Sequence, residues 1–223
     1  MSLIVKICGL STPETLAAAL DAGADMVGFV HFPKSPRHLS LSDAPALMGR
    51  VRGRSKKVLL TVDAGDDLLA AAVEAFAPDI LQLHGAETPA RVVMIREKFD
   101  RPVMKAIGLA VAADLAKIGD YEPVADWLLF DAAPADAMAL PGGNGRAFDW
   151  TLLQGRRFTK PWLIGGGLTP DNAGGAIAAT GAFGVDVSSG VESARGAKDV
   201  GKIAAFVAAA RATEKLGSLA GSG

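Results

Sequence analysis

Short apolar segments recur along the whole chain, and stretches with helical spacing of apolar residues separate them. In one such stretch Leu69, Ala72, Val73 and Phe76 follow the i, i+3, i+4, i+7 spacing of a single apolar helix face, and Val200, Ile203, Ala204 and Val207 do the same near the end. The pattern predicts about eight helices that alternate with eight strands, at Leu3–Ile7, Met26–Val30, Lys57–Val62, Ile80–Leu83, Val103–Ile107, Trp127–Phe130, Trp162–Ile164 and Gly184–Val187.

Three sequence signals predict where helices begin. A capping hydroxyl beside an early proline favours a helix start, and this combination occurs at Ser11-Thr12-Pro13-Glu14, Thr88-Pro89 and Thr169-Pro170-Asp171.

The predicted strands are continuous apolar runs rather than alternating ones, which indicates a parallel sheet covered on both faces. Their spacing is near the roughly 30 residues of a βαβ unit. Eight such units form either a closed barrel or a long open, doubly wound sheet. We favour a single (β/α)8 barrel of the TIM type, with 223 residues as a compact example. The barrel domain is expected over residues 1–211, with a frayed tail over 212–223.

Composition and charge exclude several classes of protein. The formal net charge is −1, half of the residues are hydrophobic and 21% are charged, so nothing favours a nucleic-acid or acidic-membrane partner. The first residues lack a basic stretch followed by a long apolar one, so we expect no secretory signal, and no apolar run approaches the roughly 20 residues of a membrane span. One cysteine and three histidines offer no disulfide framework and no zinc-ligand spacing. We therefore expect a cytoplasmic protein without a metal.

In parallel barrels, the active site lies at the carboxyl ends of the strands. The residues that follow the predicted strands are therefore the candidates for chemistry: Cys8-Gly9, Phe32 to Arg37, Asp63, His84-Gly85, Gly108, Asp131, Gly165-Gly166-Gly167 and Ser188-Ser189-Gly190.

Two glycine-containing turns follow the last two strands. Glycine lets backbone N–H groups approach a ligand closely, and the loops after strands 7 and 8 frequently bind phosphate in barrels. We favour phosphate binding by Gly166, Gly167, Ser189 and Gly190 over the alternative that these glycines only make tight turns. No GxxxxGK[ST] loop occurs, and the run from Gly142 to Gly145 is a weak match to a dinucleotide loop.

Cys8 and Asp131 are the candidates for proton transfer. A lone cysteine is usually a small buried apolar residue, but Cys8 lies at a strand's functional end beside Lys6, where a cation favours the thiolate. Asp131 is either a simple turn former or, when partly desolvated at a barrel mouth, a proton donor. Arg37 is either a solvated surface residue or a bidentate partner for a carboxylate. His84 is either a supporting hydrogen-bond partner or an ordinary loop histidine.

Taken together, seven segments resemble the phosphoribosylanthranilate isomerase family of tryptophan biosynthesis. They occur in the family's order from Lys6 to Asp199, and they are KICGL, HFPKSPRHLS, QLHGAE, LLFDA, GGNGRAFDW, GGGLTPDN and GVDVSSGVES.

The resemblance implies a cofactor-free Amadori rearrangement of N-(5′-phosphoribosyl)anthranilate to 1-(o-carboxyphenylamino)-1-deoxyribulose 5-phosphate. It assigns Cys8 as the general base at C2′, Asp131 as the general acid at the furanose ring oxygen, and Arg37 as the partner of the anthranilate carboxylate. It further assigns phosphate binding to the backbone around Gly166-Gly167 and Ser189-Gly190, and supporting roles to His84 and Asp186.

Three positions depart from the family pattern. Gly165 stands where alanine or serine is common, and Asn144 and Arg146 replace a threonine and a lysine. We expect these changes to bear on specificity for the aromatic moiety rather than on the acid–base pair.

Two rival readings stay open at this point. The histidine-pathway isomerase resembles the chain at the phosphate turns but has an aspartate where this chain has Cys8. A non-catalytic phosphosugar-binding module is the other. The expected partner is a small phosphosugar substrate, and either a monomer or a homodimer is compatible with the sequence.

Overall fold

Eight parallel strands close into a barrel in sequence order, with β8 pairing back onto β1. The computed structural model describes residues 2–133 and 148–220. The closed ring confirms the barrel and excludes the open sheet. The strands are β1 (Ile4–Cys8), β2 (Met26–Val30), β3 (Lys56–Thr61), β4 (Ile80–Leu83), β5 (Val103–Leu109), β6 (Trp127–Ala132), β7 (Trp162–Ile164) and β8 (Gly184–Val187).

Alternate strand residues fill the barrel and contact the helices around it. Val5, Ile7 and Phe29 belong to the large core that the strands share with the helices. A separate apolar cluster takes its residues from six strands and fills the lower part of the lumen: Met26, Val58, Ile80, Met104, Ala106, Leu129 and Leu163. This cluster leaves the side chains at the strands' carboxyl ends above it.

Within the described residues, seven α-helices and three short 3-10 segments connect the strands. The α-helices are α1 (Pro13–Asp21), α2 (Ala44–Met48), α3 (Asp66–Phe76), α4 (Pro89–Phe99), α5 (Ala116–Tyr121), α6 (Ala173–Thr180) and α7 (Val200–Ala220). The 3-10 segments are Ala112–Leu115, Trp150–Leu153 and Ser189–Val191. A two-stranded antiparallel sheet, β9 (Glu192–Ala194) and β10 (Ala197–Lys198), lies between β8 and α7.

Two of the three predicted helix starts are confirmed. Thr12 caps α1 by accepting from the Thr15 N–H, and Thr88 caps α4 by accepting from the Arg91 N–H. The third is wrong, because α6 begins at Ala173 rather than after Thr169. The side chain of Asn172 accepts the Thr169 N–H at 2.7 Å, so this segment forms a turn before the helix.

The apolar face of α3 is confirmed, since Leu69, Ala72 and Phe76 are buried. The face predicted for α7 is only partly right. Ile203 and Val207 are buried, but Val200 and Ala204 are exposed, and Phe206 and Ala210 complete the buried face instead. Val200, the first residue of this helix, is 42% exposed.

The last helix continues past residue 211 to Ala220, whereas the sequence predicts a frayed tail from residue 212. Its alanine-rich composition favours helix. Arg211 anchors this segment by an ion pair with Asp25 at 2.6 Å and by a hydrogen bond to the Leu3 carbonyl. The domain boundary at 211 stays a prediction. Within residues 2–133 and 148–220, no helix combines the length and apolarity needed to cross a membrane.

At the amino-terminal end of the barrel, three aspartates each clamp a pair of strands. The Asp25 carboxylate accepts the Val5 N–H at 2.7 Å while its own N–H donates to the Val5 carbonyl. The same two-bond exchange joins Asp79 to Lys57 and Asp126 to Val103. The three clamps fix the register of β1 with β2, β3 with β4 and β5 with β6.

Candidate active site

Cys8 and Asp131 both face the lumen at its carboxyl-terminal end. Cys8 is the last residue of β1 and packs in one cluster with Val30 of β2 and Leu60 of β3. Asp131 of β6 contacts His84, which follows β4. Because β4 and β6 are not neighbours in the barrel, this contact lies inside the lumen. Because β1 and β6 lie three steps apart in the ring of eight, these two side chains belong to opposing arcs of one mouth.

The Cys8 thiol lies beside two ammonium groups. Burial raises the pKa of Cys8, the charges of Lys6 and Lys198 act in the opposite direction, and Asp186 adds to the rise. Lys6 is fully buried and pairs with Asp186 at 2.7 Å. The thiol is therefore the resting form, and a thiolate formed there has two cations to stabilise it.

A glycine makes room for this thiol. Gly28 of β2 is in register with Cys8, and a Cβ at Gly28 would lie 3.0 Å from the Cys8 Sγ. Any larger residue there displaces the sulfur.

Asp131 lies in a chain of three polar side chains. Its Oδ2 is 3.3 Å from the His84 Nε2, and its Oδ1 accepts the Ala132 N–H at 2.8 Å. On its far side, the His84 Nδ1 contacts the Gln82 Nε2 at 2.9 Å. Asp131 is largely buried, so this chain holds the carboxyl group in one orientation.

Arg37 is not a solvated surface arginine, because its side chain is only 8% exposed. Its Nε donates to the Glu192 Oε1 at 2.6 Å, and its Nη2 donates to Oε2 at 3.0 Å. This fork fixes the plane of the guanidinium. The sequence did not indicate that a carboxylate of the same chain holds Arg37.

Glu192 joins Arg37 to a second cation. Lys198 donates to the Glu192 Oε1 at 2.9 Å and to the Ser188 carbonyl at 2.8 Å. Burial alone would raise the pKa of Glu192, but hydrogen bonds from Arg37 and Lys198 and the Gly196 N–H lower this pKa to about 2. The cluster of Arg37, Glu192 and Lys198 therefore carries one net positive charge.

This lowered pKa predicts an acid-sensitive stability. Because Glu192 titrates at a lower pH in the folded than in the unfolded chain, its contribution is complete above about pH 5 and is lost as the pH falls toward 2. We expect Glu192→Gln to lower the free energy of unfolding at pH 7 by roughly 3 kcal/mol. Urea denaturation between pH 7 and pH 3 should show the gap between wild type and variant shrinking.

The matched control is Asp21→Asn. Asp21 also pairs with an arginine, Arg54, but its side chain is 70% exposed. We expect a change of at most about 1 kcal/mol at any pH. A gap for Glu192→Gln that stays constant from pH 7 to pH 3 contradicts the assignment.

The turns after β7 and β8 lie against each other. A Cβ at Gly190 would fall 1.8 Å from the Leu168 carbonyl oxygen, so only glycine allows this approach. Gly166 and Gly167 have φ of +72° and +68°, and their N–H groups donate to no other residue that the structure describes. Ser189 and Gly190 open a 3-10 segment beside them. Unpaired N–H groups in adjacent turns are the donors that an anion needs.

Two neighbouring glycines are expected to respond differently to alanine. At Gly165 a Cβ would meet the Asp186 carbonyl and the Asp131 Oδ1 at ordinary distances of 3.5 and 3.6 Å. At Gly166 it would lie 2.7 Å from the Ala132 nitrogen, on a backbone of positive φ. We expect Gly166→Ala to lower stability by at least about 1 kcal/mol and to weaken inorganic phosphate as a competitive inhibitor at least tenfold. Gly165→Ala is the control, with both quantities near wild type. Equal effects at the two positions would contradict this account.

Sequence reasoning missed Gln82, Glu192 and Lys198 and gave Lys6 no role of its own. For two of them a signal existed. Lys6 and Gln82 precede Cys8 and His84 by two residues, so they face the same side of their strands. Glu192 and Lys198 join the site through tertiary contacts that no local pattern reveals.

Asn144, Arg146 and the run from Gly142 to Gly145 lie outside the described residues. Within residues 2–133 and 148–220, no group of three or more His, Cys, Asp or Glu side chains is placed to hold a metal ion.

The protein has the architecture of the (β/α)8-barrel enzymes: a closed barrel with titratable side chains and two glycine-containing turns at its carboxyl-terminal mouth. Comparison with known proteins identifies its class as the isomerases. The family model for N-(5′-phosphoribosyl)anthranilate (PRA) isomerase matches residues 5–209. The N-(5′-phosphoribosyl)anthranilate isomerase of Beijerinckia indica is 60% identical over 211 residues, which is 95% of each chain. The chain belongs to the N-(5′-phosphoribosyl)anthranilate isomerase family.

Two solved structures agree with this assignment. One describes monomers generated from the dimeric phosphoribosylanthranilate isomerase of Thermotoga maritima, with a TM-score of 0.82 and 30% identity over 95% of this chain and 100% of that chain. The other is a phosphoribosyl anthranilate isomerase in complex with reduced 1-(o-carboxyphenylamino)-1-deoxyribulose 5-phosphate, with the same TM-score, identity and coverage. The resemblance found in the motifs is confirmed, and the histidine-pathway and non-catalytic alternatives are set aside.

Proposed function

We propose that this protein converts N-(5′-phosphoribosyl)anthranilate to 1-(o-carboxyphenylamino)-1-deoxyribulose 5-phosphate by general acid–base catalysis, with Asp131 as the acid and Cys8 as the base. The observation that carries the proposal is that both side chains reach one barrel mouth from opposing arcs, beside the two glycine-containing turns. An acid and a base on opposite sides of a carbon skeleton are what this rearrangement requires.

The acid step opens the furanose ring. Asp131 gives its proton to the ring oxygen, the bond from this oxygen to C1′ breaks, and the nitrogen lone pair forms the C1′=N bond of a Schiff base. Asp131 suits this step because its carboxyl group is largely buried and oriented by His84 and the Ala132 N–H. A positioned acid contributes about 10² to 10⁴ in rate.

The base step removes the C2′ proton. The resting Cys8 thiol first gives its own proton to water, and the thiolate so formed takes the C2′ proton. The electrons of the C–H bond form C1′=C2′, and the Schiff base is neutralised to an enolamine that tautomerises to the aminoketose. Burial disfavours the charged thiolate, and the Lys6 and Lys198 ammonium groups support this step because their charges offset that effect.

Two anchors hold the substrate at its ends. Arg37 and Lys198 carry two positive charges against the single negative charge of Glu192, so this cluster attracts the anthranilate carboxylate. Arg37 is the partner of that carboxylate. The backbone of Gly166, Gly167, Ser189 and Gly190 holds the phosphate. Asp186 supports the site through its ion pair with Lys6. Binding energy from these remote groups orients the reacting carbons.

We further propose that the protein works in the cytoplasm, without a cofactor, as a monomer or a homodimer. Its cysteine is free and buried, which suits a reducing compartment. Both the monomer and the homodimer stay in the proposal, because the Thermotoga maritima structure describes monomers of a dimeric enzyme.

The test is turnover of phosphoribosylanthranilate by the purified protein, followed by loss of the substrate's fluorescence, in EDTA and without added nucleotide. We expect consumption that scales with enzyme concentration and yields the aminoketose phosphate. Fluorescence that persists at micromolar enzyme would overturn the proposal.

A further inference from the structure

The contact between Gln82 and His84 has a consequence for the proton on His84. Gln82 is fully buried in the barrel, and its Nε2 lies 2.9 Å from the His84 Nδ1. An amide N–H can only donate, so Nδ1 accepts through its lone pair. A neutral imidazole that accepts at Nδ1 carries its proton on Nε2, and this nitrogen lies 3.3 Å from the Asp131 Oδ2.

The reverse orientation of the Gln82 amide is less favourable. In the orientation described, the buried Gln82 Oε1 has no hydrogen-bond partner among the described residues. Reversal would let Oε1 accept from a protonated Nδ1, but it would move the amide nitrogen to the buried position at which no hydrogen-bond partner is described. Unpaired buried donors are rarer in proteins than unpaired carbonyl oxygens.

Among the residues that the structure describes, the charged groups near the His84 Nδ1 have other partners. Asp63 and Glu87 are the acids near this loop, and their carboxylates accept from the N–H groups of Ala86 and Gly85. Lys105 pairs with Glu87 at 2.8 Å. Across the lumen, Asp186 is occupied by Lys6 at 2.7 Å.

An imidazolium would have to give up the hydrogen bond that Nδ1 accepts from Gln82, so this contact favours the neutral form of His84. An imidazolium beside Asp131 would form an ion pair that holds the carboxylate deprotonated. A deprotonated Asp131 has no proton to give. A neutral His84 therefore opposes the proposed acid role of Asp131 less than an imidazolium would.

We infer that Gln82 is a positioning residue that holds His84 as the neutral Nε2–H tautomer, so that the Asp131 carboxyl group is oriented by a neutral imidazole and not held as a carboxylate by an imidazolium. This inference rests on the acid role proposed for Asp131. Gln82 acts in this proposal through its contact with His84.

The first test is ¹⁵N NMR of the whole protein labelled at histidine, with the His84 signals assigned by loss in His84→Asn. From pH 6 to 8 we expect a proton on Nε2 and a bare Nδ1. An Nδ1–H tautomer, or an imidazolium in this range, overturns the inference. This measurement needs no substituted Gln82 and no activity.

The second test replaces Gln82. In Gln82→Glu, a carboxylate accepts from Nδ1–H, and we expect an imidazolium spectrum at pH 7 with kcat at least tenfold lower and KM within about threefold. Gln82→Met leaves Nδ1 open, and we expect the imidazolium signal to emerge at a higher pH than in wild type. The control is Gln154→Glu, since Gln154 is exposed, with kcat and His84 signals unchanged.

Asp131→Asn, measured alongside, separates the two proposals. If this variant is active, the acid role fails even though the His84 tautomer stands. If it is inactive while both Gln82 variants keep wild-type kcat and the wild-type His84 spectrum, the inference about Gln82 fails alone. Should Gln82→Glu not fold, Gln82→Met and the wild-type spectrum decide.

Discussion

Replacing Cys8 by alanine is expected to lower kcat by about 10² to 10⁴ while the barrel stays folded. The thiol is the only group of Cys8 that can take the C2′ proton. It is small and packs beside Val30 and Leu60, so its loss should reduce the free energy of unfolding by only about 1 kcal/mol. Steady-state turnover and urea denaturation measure the two effects separately.

Binding provides the control for this variant. The phosphate turns and the Arg37 cluster are untouched in Cys8→Ala, so affinity for inorganic phosphate and for the reduced aminoketose phosphate should stay within about threefold. Cys8→Ser should be equally inactive, since a serine hydroxyl loses its proton far less readily than a thiol and so does not supply the anionic base. A Cys8→Ala enzyme with wild-type turnover would refute the assigned base.

Asp131→Asn is expected to cost a similar factor of about 10² to 10⁴ in kcat. The amide has the shape of the carboxyl group and can still accept the Ala132 N–H, but it has no acidic proton for the ring oxygen. Turnover of a substrate that needs ring opening is the measurement. Combined with Cys8→Ala, the loss should be far from additive, because both groups serve one rearrangement.

Asp126→Asn is the matched control, since Asp126 precedes the same strand at the opposite end of the barrel. Its carboxylate accepts the Val103 N–H at 2.9 Å, so the change should lower stability more than kcat. Equal losses of kcat in the two variants would argue that Asp131 acts only through the fold.

The strands could be predicted from sequence because each is a short apolar run between polar turns, and the rule that parallel barrels react at the carboxyl ends of strands then selected Cys8, Asp131 and His84. The start of α6 could not be predicted, because the hydrogen bond from the Thr169 N–H to the Asn172 side chain makes the segment with the capping signal a turn. The partner of Arg37 could not be predicted either. Glu192 lies 155 positions away and meets it only when the barrel closes.

Treating the strands as uniformly apolar concealed the polar residues inside them. Lys6 and Gln82 are single polar positions in otherwise apolar runs, and each lies two residues before a candidate site residue. A polar side chain directed into a barrel must find a partner there. The spacing of two therefore marks the residues that support the site from below.

The aspartate clamps at the floor of the barrel bear on chemistry at its rim. Side chains of a strand alternate between lumen and exterior, so a slip of one residue between paired strands would turn Cys8 or Asp131 outward. The clamps fix the strand register at Val5, Lys57 and Val103. They thereby determine which side chains at the other end of each strand face the lumen. A change large enough to shift this register would therefore inactivate the enzyme by turning an intact reactive group away from the lumen, whereas Asp126→Asn keeps the Asp126 N–H bond to the Val103 carbonyl and should keep the register.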